Sequence, residues 1–377
     1  MGQLVSKRYV LHMVDRYAGT AFEASCDARG DTDMKQVPSM TWLLTMIDRV
    51  NGYATNYRTS EYATRQAVTK PTVDGATKSL IRSPFFITSG NSRMAFSING
   101  GANWAVVANN PFGGDSLSDI SPQSIAYGGG RFVAGTVTSA YSTDGANWTK
   151  SNNVVGGFIV SIAYGDDKFF AVTGQGTIAY SADGGANWTI VENSPFGILT
   201  QIAYGGGKWV VASSSGKIAY STDGMNWTAV ANSPFSNSED IGALVYGSGK
   251  FVAGGRYGSS GNSKIAYSAD GVSWTKVANS TFGTSSISAL AYSGSKFVAG
   301  GRNGKMAYSS DGITWTAVAN SSFGFSNIND IAYGGGKWVA VGGNGKIAYS
   351  TDGVSWTSAG SPIGSEALYA AATRAAR

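Results

Sequence analysis

Tyr349-Ser350-Thr351-Asp352-Gly353-Val354-Ser355-Trp356 closes a series of seven copies of one short phrase. The earlier copies begin at Phe96, Tyr141, Tyr180, Tyr220, Tyr267 and Tyr308 and end on Trp104, Trp148, Trp188, Trp227, Trp274 and Trp315. A strand that ends on the aromatic residue must reverse. The Asp supplies an oxygen that accepts backbone N–H bonds, and the Gly after it can take positive φ without a Cβ clash. The Trp then opens the returning strand and lays a large apolar ring under the turn, while its indole N–H still requires a polar partner. The phrase is therefore a self-contained hairpin cap. Asp144, Asp183, Asp223, Asp270, Asp311 and Asp352 hold the acceptor position, and Asn99 holds it in the first copy, where it can accept the same bonds. The first and third copies carry one extra residue, Gly101 and Gly185.

Outward from the last phrase, the full unit reads Asp330-Ile331-Ala332-Tyr333, Gly335 to Val341, Lys346-Ile347-Ala348-Tyr349, then the turn and Trp356-Thr357. That is four short apolar strands joined by glycine turns. Successive turn tryptophans lie 39 to 47 residues apart, the period of a four-stranded propeller blade. Ala and Val occupy both faces of the strands, as in Val339-Ala340-Val341, which suits blades covered on each side by a neighbour. Seven phrases predict a mainly β protein with a seven-bladed β-propeller. Leu80-Ile81-Arg82 and Pro84 to Ile87 are expected to supply the inner strands of the first blade. Ring closure stays open, since Glu366-Ala367-Leu368-Tyr369 suits either a returning strand or a short helix.

The phrase resembles the Asp-box, Ser-x-Asp-x-Gly-x-x-Trp, of sialidase-type repeats, here with Asp and Gly adjacent. The resemblance covers roughly residues 80 to 360. It implies a fold-stabilising corner on the propeller face away from the family's catalytic pocket, and so an architecture rather than sialidase activity.

A second phrase follows the outer strand at Val107 to Gly113, Val191 to Gly197, Val230 to Ser236, Val277 to Gly283 and Val318 to Gly324. Phe112, Phe196, Phe235, Phe282 and Phe323 recur in it. They could form an aromatic ring for stacking on sugars, but recurrence in nearly every unit is what wedging between blades demands. Lys208, Lys250, Lys296 and Lys337 recur at one turn and are expected to solubilise blade edges. Variation concentrates in the loops opposite the turns, where binding over a repeated scaffold is usual. The candidate ligand-binding residues there are Arg256, Tyr257, Arg302, Asn303 and Asn344.

The composition bounds the chemistry. Cys26 is the one cysteine and His12 the one histidine among 377 residues, which excludes an internal disulfide, a Cys/His zinc site and histidine-based catalysis within the repeats. The net charge of +5 is mild for this length, so nucleic acid is not an expected partner. No cofactor, metal or membrane insertion is expected either. Residues 1–78 differ in texture, with fewer glycines, more charge and no repeat. After Pro38 and Ser39, Leu43, Ile47, Val50, Ala54 and Tyr57 fall at helical spacing. The expected organisation is a partly helical N-terminal anchoring segment, 1–78, a propeller, 79–360, and a C-terminal tail, 361–377.

Arg82-Ser83-Pro84 resembles the Arg-Ile-Pro of sialidases only in part. Glu239 and Asp240, adjacent in sequence, read as a solvated turn rather than the two facing carboxylates of a glycosidase. No enzyme activity is expected. Regular repeats behind a short docking segment, with Lys7, Arg8, His12 and Asp15 in a start unlike a signal peptide, resemble a bacteriophage tail-fibre or other virion appendage protein. The expectation is a structural or binding protein located in the virion. It would form homo-oligomers, with other virion proteins as partners through residues 1–78 and a host-surface glycan or protein at the propeller loops. A bacterial lectin-like or scaffold propeller, cytoplasmic or released without a signal peptide, is the alternative. A sialidase-like glycoside hydrolase is the third reading.

Overall fold

A computed structural model describes residues 84–90, 93–108, 110–112, 124–153, 155–256 and 264–374. Residues 1–78, for which an anchoring segment with a helix after Pro38 is expected, and residues 80–82 lie outside the described residues. In the seventh blade the strands Ile328–Gly334, Lys337–Gly342, Ile347–Ser350 and Thr357–Ala359 pair antiparallel in chain order. Seven such four-stranded sheets are present. Their inner strands are Leu368–Thr373, Ser124–Gly128, Ile159–Gly165, Leu199–Gly205, Ile241–Gly247, Ile287–Tyr292 and Ile328–Gly334. Each touches the next, and the last touches the first, so they close a ring around one axis. The protein is the expected seven-bladed β-propeller.

Second strands are apolar on both faces because both faces are covered: in Lys337–Gly342 every residue from Trp338 onward is buried. Outer strands such as Thr275–Lys276 are exposed, and their sequences are polar. Seven apolar clusters fill the seven seams between blades. Phe282, in the link after blade 5, sits in a cluster with Ile265 of blade 5 and Phe297 of blade 6. Phe323 does the same between blades 6 and 7, and Phe112 between blades 1 and 2. The recurrent phenylalanine is thus a wedge, each buried ring contributing roughly 1.5–3 kcal/mol. Ile363 and Val155 fill the corresponding seams after blades 7 and 2, a substitution that hid these copies of the phrase.

The ring closes through its C-terminus. Leu368–Thr373 returns and pairs antiparallel with Phe85–Ser89, from Phe85 opposite Thr373 to Ser89 opposite Leu368. The inner strand of blade 1 therefore comes from the segment set apart as a tail. Phe85–Ser89, expected among the inner strands, is the second strand of its blade.

Candidate functional site: two unlike faces

Antiparallel order puts the turns between first and second strands on one face, together with the Ser-x-Asp-Gly turns between third and outer strands. The turns between second and third strands and the blade-to-blade links fall on the other face. In the fifth blade Asp270 Oδ1 accepts from Val272 N at 2.8 Å, Ser273 N at 2.7 Å and Ser268 Oγ at 2.9 Å. Ser268 Oγ in turn accepts from Gly271 N at 2.8 Å, and Trp274 Nε1 donates to Gly271 O at 3.1 Å. The N–H groups of Ser273 and Val272 hold the Asp270 carboxyl at about 2, well below the usual carboxylate value. The other copies repeat this pattern. Asn99 Oδ1 accepts from Asn103 N at 2.9 Å, so the Asn copy folds as expected. Trp104, Trp148, Trp227 and Trp315 also reach a glycine carbonyl, whereas the indole N–H of Trp188 and Trp356 is buried without a partner.

The recurrent lysines do more than solubilise edges. Lys208 Nζ donates to Asp270 O at 2.9 Å, Lys250 Nζ to Asp311 O at 2.9 Å, Lys296 Nζ to Asp352 O at 2.6 Å and Lys337 Nζ to Asn99 O at 3.2 Å. Each tie reaches the turn of the next blade. Arg131 takes the same part toward Asp183 O at 2.9 Å. Gly100, at φ 73°, makes room for the Lys337 stem: a Cβ there would lie 2.2 Å from Lys337 Cδ. The face bearing the turns is thereby committed to its own structure.

At the axis, inner-strand side chains cap the backbone N–H groups of the neighbouring inner strand. Ser124 Oγ accepts from Ile162 N at 2.7 Å and Ser161 Oγ from Ile202 N at 3.3 Å. Asp330 does so between blades 7 and 1, with Oδ2 accepting from Ala371 N and Oδ1 from Ile331 N, both at 2.8 Å. Enclosed among inner strands and only partly reached by solvent, its carboxyl is pushed up by burial to about 7, against the two N–H bonds.

On the loop face Arg302 and Asn303 belong to the turn 302–304 and Asn344 to the turn 343–345. Asn303 and Asn344 share φ 57°, a left-handed conformation that accounts for Asn at both places. The two turns meet one link. Asn303 N donates to Asn327 Oδ1 at 3.2 Å and Asn344 Nδ2 to Ser326 Oγ at 3.1 Å, and beside them Phe325 is 92% exposed. The sequence reading missed Phe325, although Gly324-Phe325-Ser326 breaks the pattern of a polar link. Arg256 lies apart in blade 5, packed over Gly242, with its N–H donating to Asp240 O at 2.6 Å. Tyr257 is outside the described residues. Glu239 is not in a solvated turn: it is fully buried, with Oε2 accepting from Ser236 N at 2.9 Å and Lys276 Nζ 3.8 Å away. The link folds back over it.

No protein-family model matches the chain, and no curated protein matches its sequence. Solved structures do. One, of YCF48 bound to a D1 peptide, is similar at a TM-score of 0.53 and 19% identity, over 67% of this chain and 84% of that one. The comparison shares a propeller fold. The computationally designed protein Ika8 is similar at a TM-score of 0.50 and 14% identity, over 74% of this chain and 90% of its own. A GH74 enzyme of Niastella koreensis is similar at a TM-score of 0.45 and 21% identity, over 76% of this chain and 44% of the enzyme.

Proposed function

We propose that this protein is a non-catalytic binding propeller carried as an appendage of a phage virion. Residues 1–78 anchor it among other virion proteins, as a homo-oligomer, and its loop face meets a host-surface glycan or protein. The observation that carries the binding reading is the contrast between the two faces. One is repetitive and tied together by its own turns, while the other varies from blade to blade and exposes Phe325 beside Arg302, Asn303 and Asn344. Exposed aromatic and guanidinium groups on a rigid scaffold are the residue types that dominate recognition surfaces.

Support for a non-catalytic role is that three carboxylates of the propeller are spent on structure. Glu239 holds the Ser236 backbone, Asp330 bridges two inner strands, and Glu366 receives Ser89 Oγ at 3.3 Å and faces Arg93 at 3.5 Å. The virion setting rests on the design of the chain, a non-repeating segment ahead of a sevenfold array. A protein partner is in keeping with the peptide held by the YCF48 propeller.

The test uses the full chain. Binding to host cell envelopes is measured for the unaltered protein and for Arg256→Ala/Arg302→Ala, alongside turnover of an aryl sialoside. Saturable binding weakened in the variant, without turnover, is expected. Turnover, or binding insensitive to the loop face, contradicts the proposal.

A further inference from the structure

Two departures from the repeat fall at one place. The link phenylalanine is buried at Phe112, Phe235, Phe282 and Phe323, but Phe196 is only half-buried and its neighbour Ile198 is 52% exposed. The link length explains this. Five positions separate Phe282 from Ile287 and Phe323 from Ile328, the starts of the following inner strands, whereas three separate Phe196 from Leu199. The shorter link holds its ring nearer the surface.

The second departure is the lysine that precedes the third strand. Lys305 Nζ donates to Phe282 O at 3.0 Å and Lys346 Nζ to Phe323 O at 2.8 Å, each binding the link before its own blade. Lys264 is 1% exposed. Lys217 stands in the same register but is exposed, and its ammonium has no hydrogen-bond or ion-pair partner among the described residues. An uncovered ring and an unspent cation thus meet at the seam between blades 3 and 4. Two adjoining clefts of about 420 and about 470 Å3 share them as walls. Ser214 and Ser215 line the first, and Asn232 and Asn237 the second; no acidic side chain lines either.

We infer that this seam is a binding subsite for a carboxylate-bearing saccharide. The clefts are of ligand size, apolar on one wall and polar on the others. The C–H face of a pyranose lies on Phe196 and Ile198, its carboxylate pairs with Lys217 Nζ, and its hydroxyls exchange hydrogen bonds with the Asn amides and Ser hydroxyls. The ammonium selects for the anion, and no carboxylate in the walls repels it. This inference rests on the reading of the loop face as the binding face, and gives that face a place and a ligand class.

Calorimetric titration of the full chain with trigalacturonate and sialyllactose, with lactose as the neutral control and a Glu-rich peptide as the competing class, tests it. The expected result is saturable binding of an acidic saccharide and none of lactose. Lys217→Gln and Phe196→Ala should each weaken it about tenfold or more, equivalent to about 1.4 kcal/mol, and Lys168→Gln on the opposite face should leave it unchanged. Lys217→Gln removes only an exposed ammonium, so a folding defect does not obscure the outcome. Equal binding of lactose, preference for the peptide, no saccharide binding, or indifference to Lys217→Gln each overturns the inference. The envelope assay separates the two levels. If Lys217→Gln keeps full envelope binding, the subsite fails and the loop-face reading stands; if the unaltered protein does not bind envelopes, the broader reading fails whatever the titration gives.

Discussion

Lys337 Nζ lies 3.2 Å from the carbonyl oxygen of Asn99, carrying a bond from the seventh blade to the first. Among the described residues five of the seven seams have such a tie. Lys168, the corresponding residue of blade 3, turns instead to Asp166 in its own hairpin, at 3.5 Å. A charged donor on a carbonyl is worth about 1 kcal/mol when partly exposed, whereas a surface pair within one turn is worth little. Lys337→Met is therefore expected to lower stability to denaturant by about 1 kcal/mol and Lys168→Met by less than about 0.5 kcal/mol. Equal losses would mean that the seam tie is incidental.

The turn carboxylates set the acid limit. Asp311 and Asp352, like Asp270, sit at about 2; burial opposes this, but backbone N–H bonds and a serine hydroxyl outweigh it. Because the folded value lies below the unfolded one, about 3.9, their contribution is complete above about pH 4 and is lost as pH falls toward 2. Melting temperature should drop through that window. In Asp352→Asn the drop should be shallower and the neutral-pH stability lower by about 1 kcal/mol.

Asp330 acts in the opposite sense. Its folded value of about 7 exceeds the unfolded one, so folding favours the protonated form, and stability declines as pH rises from about 4 to about 7. Denaturation curves at pH 5 and pH 8 should differ more for the unaltered protein than for Asp330→Asn. An identical pH difference in both would show that the carboxyl is not held protonated.

Thr281 takes φ 65°, a left-handed conformation that is strained for a β-branched side chain, at the place where Pro234 stands in the preceding link. Relief of about 1 kcal/mol, less the unfolded-state entropy that glycine adds, leaves Thr281→Gly neutral to slightly stabilising. A loss above about 1 kcal/mol would place the Thr281 side chain in a contact that outweighs its strain.

The blades were legible because each of their determinants is local. Asp270, Gly271 and Trp274 lie within five residues, and the turn they make forces the hairpin wherever they recur. Closure was not legible, since Leu368–Thr373 pairs with Phe85–Ser89 across nearly the whole chain and no local signal names its partner. The lysines show the same limit. Recurrence marked Lys208 and Lys337 as equivalent, but the carbonyl each one meets belongs to the next blade. Repetition identified the wedge at Phe323, whereas the half-open Phe196 emerges only where link length departs from the repeat, and the exposed Phe325 only where a link of regular length carries an extra aromatic residue.

The most direct measurement is quantitative mass spectrometry of particles purified from a lysate of the source organism, with the full chain compared to one lacking residues 1–78. The account expects the full chain at fixed stoichiometry with capsid and tail proteins, and the truncated chain only in the soluble fraction. A full chain found only free of particles, or a truncated chain that still joins them, would contradict it.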